Sequence, residues 1–215
     1  MLWWADFTDP DTLTLTGDRI DVIVDKNAGI INFQAISDKP TLTTVDSWDV
    51  GYQTGTGGLR NTTVSYPREK AIVAIFRRVS STGSTQELIF NDPSNFDFNL
   101  TGTWSGMSFS VKNDATGLPV QGDVFVPTDG WDIAILNCDE VSGGDDRFFT
   151  YFNSSTYIGI TACAQISTGV PPLRLLYQGG DIMVAELIAY SKLLTGSDLT
   201  LLMRYMNNKY GTAYI

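Results

Sequence analysis

The chain has 215 residues, 43% of them hydrophobic and 12% aromatic, with 24 acids against 14 bases and no histidine. That length supports one sizeable core, and the hydrophobic content excludes a disordered chain. A net charge of −10 argues against nucleic acid and anionic lipid, which clustered Lys and Arg hold, and the missing histidine removes the commonest general base and metal ligand.

Strand-like runs dominate the first 190 or so positions. Leu13 to Thr16 and Arg19 to Val24, separated by Gly17-Asp18, predict a hairpin. Ile30 to Ile36 is the next run. Trp48 and Tyr52 precede the glycine-rich stretch 54–58, which lacks the Lys-Ser/Thr of a phosphate loop and reads as a flexible turn. Ala71 to Phe76 is apolar on both parities, as a central strand covered on both faces would be. Glu87 to Phe90, Met107 to Val111 and Asp123 to Val126 read as short strands. In Trp131 to Cys138, Trp131, Ile133 and Ile135 share one face, and Ala134, Leu136 and Cys138 the other. In Tyr157 to Ile166 the apolar face carries Ile158, Ile160 and Ala162, and the milder face carries Tyr157, Gly159 and Thr161, which could line a groove.

One helix is predicted, over about 196–209. Thr195 and Asp198 form a capping box, Leu199, Leu202, Met203, Met206 and Tyr210 form one apolar stripe, and Gly211 supplies a left-handed stop. Cys138 and Cys163 are too few for a disulfide framework and read as reduced, semi-buried thiols. The opening Met1-Leu2-Trp3-Trp4-Ala5-Asp6 has no basic region or apolar stretch, so no signal peptide is expected. No apolar run approaches a membrane span. Many short strands with no alternating helices predict an all-β, two-sheet antiparallel sandwich or jelly roll, as one domain over 1–215 with a C-terminal α-helix.

Several stretches resemble the concanavalin A-like lectin/glucanase superfamily, specifically its laminin-G-like jelly-roll domains. They are Trp3-Trp4-Ala5-Asp6, Asp11 to Leu15, Val24-Asp25-Lys26, the strand Ala71 to Arg77, and the end from Gly180 to Tyr190 through Leu194-Thr195 to Asn208-Lys209-Tyr210-Gly211. Ile23 or Val24 stands where that family usually has a second tryptophan. The resemblance implies two curved sheets, with a carbohydrate groove or a loop-borne calcium site. Such domains occur in secreted bacterial proteins and bacteriophage virion proteins, and an unsignalled version is similar to the latter.

Catalysis is not expected. Glycoside hydrolysis needs paired carboxylates at strand spacing, and Glu69, Glu87, Glu140 and Glu186 each stand alone. Glu186, amid apolar residues, reads as a structural acceptor for a loop. The expected ligand-binding residues are the aromatics Trp48, Tyr52, Trp104, Phe148 and Tyr151, whose faces could stack on sugar rings. Trp3, Trp4 and Trp131 read as core. No cofactor is expected beyond calcium, for which Asp145 and Asp146 are the candidates, with Asp6, Asp9 and Asp11 a second set. The expected role is a non-enzymatic virion structural protein, a capsid decoration or tail component on the virion surface, made in the host cytoplasm. Its partners would be other virion proteins and further copies of itself. The alternative is a module or receptor-binding protein that contacts host glycans.

Overall fold

The computed structural model describes residues 1–27, 29, 31–53, 57–78, 86–91, 98–103, 105–168, 172–178 and 182–215. In chain order the strands are β1 (Trp3–Asp6), β2 (Leu13–Thr16), β3 (Arg19–Val24), β4 (Asn32–Ala35), β5 (Thr41–Val45), β6 (Trp48–Tyr52), β7 (Leu59–Asn61), β8 (Lys70–Arg78), β9 (Gln86–Asn91) and β10 (Phe98–Thr103). There follow β11 (Gly106–Asn113), β12 (Leu118–Gln121), β13 (Trp131–Asp139), β14 (Asp146–Phe152), β15 (Tyr157–Cys163), β16 (Leu173–Gln178), β17 (Ile182–Tyr190) and the helix α1 (Gly196–Tyr210).

Antiparallel pairing sorts these strands into two sheets. The first runs β1–β17–β8–β13–β14–β15. The second runs β2–β3–β4–β7–β16–β9–β10–β11–β12. The β5–β6 hairpin links them through single pairings, Arg19 with Thr41 and Val184 with Gly51.

Strand parity decides what each face meets. Trp3, Ile72, Ala74, Phe76, Ala134 and Leu136 of the first sheet pack against residues such as Phe33, Leu59, Phe98, Phe109 and Leu173 of the second, making the core between sheets. The other parity of the first sheet, Val73, Ile75, Ile133 and Ile135, packs on Leu199, Leu202, Met203 and Met206 of α1. Every residue from Ala71 to Phe76 is therefore fully buried, as its two-sided apolar pattern requires. Thr195 caps α1 with the reciprocal Asp198 bond, and Gly211 ends it at φ 69°. The all-β sandwich with a C-terminal helix is the observed architecture.

Some local expectations are corrected. Asp123 to Val126 is not a strand; only Phe125 bridges, to Met107, while Val124 and Val126 face outward. β15 turns its apolar side outward, with Ile158 45% and Ile160 49% exposed. Among the described residues it pairs with β14 alone, at the edge of the sheet, and Cys163 on the opposite parity joins the core between sheets. Both cysteines are free and buried, and burial pushes the Cys138 thiol up to about 12. Among the described residues no helix is long and apolar enough to cross a membrane.

Candidate functional site

The described aromatics among those singled out in the sequence form no common exposed platform. Trp48 lies on β6 and packs on Tyr210, with ring centroids 5.4 Å apart, and Lys209 Nζ is 5.4 Å from its ring. It covers the end of α1. Tyr52 is half-buried on the same strand. Phe148 and Tyr151 belong to opposite faces of β14: Phe148 is fully buried between the sheets, which leaves it no face for a ligand, and Tyr151 belongs to the cluster under α1. Trp104 lies outside the described residues. Trp3 and Trp131 are core, whereas Trp4 is half-buried and donates its Nε1–H to Glu186 at 2.8 Å.

Of the aspartates named for calcium, Asp146, Asp6 and Asp9 are committed to the protein itself, whereas Asp11 and Asp145 are exposed. Asp146 is buried, and its two oxygens accept from the backbone N–H of Val141 at 3.0 Å and of Ile166 at 2.7 Å. The first bond closes the turn that carries the exposed Asp145, and the second ties that turn to the segment after β15. Asp6 and Asp9 hold Lys26 Nζ at 2.6 and 2.9 Å, so a lysine supplies the cation there. No group of three or more His, Cys, Asp or Glu side chains gathers into a metal site among the described residues.

Glu186 is fully buried, and its donors come from the helix and from Trp4 rather than from a loop. Its Oε1 accepts from Tyr205 at 2.6 Å, Lys209 at 2.7 Å and Tyr210, while Oε2 accepts from Trp4. Burial first, then the Glu186 charge, pushes both tyrosine hydroxyls upward, which keeps them protonated donors. Asp6 is its cross-strand partner, and Lys209 Nζ stands 3.6 Å from Asp6 as well. Both carboxylates thus face lysines and are enclosed, a clasp between β1, β17 and α1.

A different arrangement occupies the outer face of the second sheet. A cleft of about 430 Å³ is lined by Asn32, Gln34, Ala35, Arg60, Thr62 and Thr63, among others. Alternation builds it: Phe33, Leu59 and Leu173 point into the core, so Gln34, Arg60 and Arg174 point out. These three are direct cross-strand partners, Gln34 opposite Arg60 and Arg60 opposite Arg174. Asn61 fixes the rim. Its Nδ2 donates to the Asn32 carbonyl at 2.8 Å, and its Oδ1 accepts from the Thr63 and Val64 N–H groups at 2.8 Å.

The floor is equally constrained. The Ile36 N–H donates to the Gly58 carbonyl, and the Gly58 N–H to the Asp38 carbonyl, each at 3.0 Å. Gly58 has φ +89°, and a Cβ there would lie 2.4 Å from the Leu175 carbonyl oxygen. The described end of the glycine-rich stretch is therefore a close strand contact rather than a loose turn. The Arg60 side chain makes no hydrogen bond or ion pair among the described residues, and its Nε is buried. Amide, hydroxyl and guanidinium groups on a rigid sheet can receive a polar ligand rich in hydroxyls or oxyanions. Sequence reasoning missed this cleft, since its residues come from two short strands far apart in the chain and the residues that follow each.

Comparison by sequence finds no matching family and no matching curated protein. Comparison by structure does find neighbours. The receptor-binding domain of botulinum neurotoxin C/D mosaic serotype matches with a TM-score of 0.68 at 10% identity, over 95% of this chain and 51% of that one. The binding domain of Paraclostridial Mosquitocidal Protein 1 matches at 0.67 and 12% identity, over 96% and 52%. A structure of botulinum neurotoxin type C, whose cell entry is described as dependent upon interaction with two ganglioside molecules, matches at 0.61 and 14%, over 91% and 51%. The chain shares its β-sandwich fold with these binding domains. It spans about half of their length.

Proposed function

We propose that this protein is a non-catalytic recognition module of the concanavalin A-like class, which presents the Arg60 cleft to a glycan or glycan-bearing receptor on a host surface. The cleft carries this reading: its polar lining is held by strand pairing and by Asn61, so it is preformed and needs little ordering on binding. The neighbours lend support, being named as receptor-binding domains and, in one case, as a ganglioside-dependent toxin. The enclosed Glu186, with each oxygen engaged by donors, supports a binding role over hydrolysis.

Immobilised protein should capture a subset of glycans on an array, and Gln34→Ala with Arg60→Ala should weaken that capture while leaving the circular dichroism spectrum intact. An unchanged binding profile in the double variant would remove the cleft from the reading. A role inside a virion is the finer assignment that the sequence resemblance suggested. Co-purification with particles tests it separately, and a module that never does so is a free binder.

A further inference from the structure

We infer that the cleft takes a carboxylate-bearing sugar, gripped by the guanidinium of Arg60 with Arg174 beside it. The inference rests on the recognition reading above and names the ligand chemistry of that same site.

Charge is distributed oddly here. In a chain with net charge −10, Arg68, Arg77, Arg78 and Arg147 each hold a carboxylate, those of Glu140, Asp46, Asp129 and Asp139. Arg60 has no such partner among the described residues, although acids outnumber bases. Its cross-strand neighbour is another arginine, and like charges placed directly opposite repel across a ladder. Its Nε is moreover buried without an acceptor, an arrangement that native proteins rarely keep without a use. All three features are relieved by one event, the arrival of an oxyanion.

A guanidinium fork meets a carboxylate with two parallel N–H···O bonds, and the bound anion lowers the repulsion between that guanidinium and a neighbouring cation. The rest of the lining favours a sugar acid over an acidic peptide. Asn32, Gln34, Thr62 and Thr63 supply donors and acceptors suited to ring hydroxyls, and Ala35 with Ile36 offers a small apolar surface for a C–H face. The volume is within the range of small-molecule sites.

The test is titration calorimetry on the whole 215-residue protein with 3′-sialyllactose, glucuronic acid and galacturonic acid, against neutral lactose and glucose and against a Glu-rich peptide. At least one sugar acid should bind about tenfold or more tightly than its neutral counterpart, and binding should weaken as salt rises from about 50 to about 500 mM. Arg60→Gln should abolish that preference, bringing the affinity for the sugar acid down to that for its neutral counterpart. Arg60→Lys, which keeps the charge but loses the fork, should lose most of it too, and serves where Arg60→Gln does not fold. Equal binding of acidic and neutral sugars, untouched by either variant, would overturn the carboxylate inference and leave the glycan module standing. No binding of any sugar would overturn both, and peptide binding in their place would assign the cleft to a protein partner.

Discussion

Glu186 gathers Trp4, Tyr205, Lys209 and Tyr210 around one carboxylate. Because the group is fully buried, removing its charge takes from Lys209 its nearer counter-ion, leaving only Asp6 at 3.6 Å, and weakens the acceptor of two buried hydroxyls. Glu186→Gln should therefore cost about 3 kcal/mol, since breaking a buried pair leaves the other charge uncompensated. In a chain of this size that lowers the melting temperature by roughly 6–12 °C, readable by thermal melts at neutral pH. A second residue sets a pH dependence. The Thr195 backbone N–H and then its hydroxyl hold the Asp198 carboxyl below its ordinary value of 3.8. A depressed folded value means that the stabilisation is complete above the unfolded value and is lost as pH falls through the folded one. Stability measured by urea unfolding should thus drop below about pH 4, and Asp198→Asn should flatten that limb while lowering the neutral plateau.

Among the elements, α1, the β2–β3 hairpin and β8 were legible because each is specified locally. A capping box, a two-residue turn with Gly17 at φ +64° and an unbroken apolar run need no distant partner. β5–β6 escaped notice although it is also a tight hairpin. Its Asp46-Ser47 turn takes positive φ at both positions, 50° and 70°, where Asn-Gly would have announced it. β7 and β16 are legible only from the pairing that creates them, so the cleft that β7 carries with β4 was hidden too. Arg60 and Arg174 look like ordinary surface cations until the register sets them side by side. The face of β15 was misread for a related reason: its pattern is apolar, but α1 does not extend its cover to the edge of the sheet. Gly58 tests how closely β7 and β16 must approach. Gly58→Ala meets two carbonyl oxygens, at 2.4 and 2.5 Å, as well as its positive φ, and should cost about 3 kcal/mol. Gly17→Ala, with nothing within 4 Å, should cost only about 1 kcal/mol, from the backbone conformation alone. Chemical denaturation of the two variants separates these terms.

At the scale of the whole molecule, one helix protects one face of one sheet. Leu199, Leu202, Met203 and Met206 close over Val73, Ile75, Ile133 and Ile135. A chain ending before Thr195 would expose that surface and release the donors of Glu186. It should be recovered mainly as aggregate, judged by sedimentation of the soluble fraction, whereas the full chain stays in solution.

The pairing of β1 with β17 also bears on how the chain is made. Trp3 faces Ala189 across that ladder and Trp4 faces Ile188, so residues made early in this stretch wait for partners made much later. β8, central to both cores, likewise waits for β17 on one side and β13 on the other. A topology built on such distant pairings folds slowly, on the order of milliseconds to seconds. Throughout synthesis the apolar faces of β1 and β8 lack their final partners, and they gain them only when β17 slots between the two strands. The Glu186 clasp can engage only after that insertion, as the closing event of assembly.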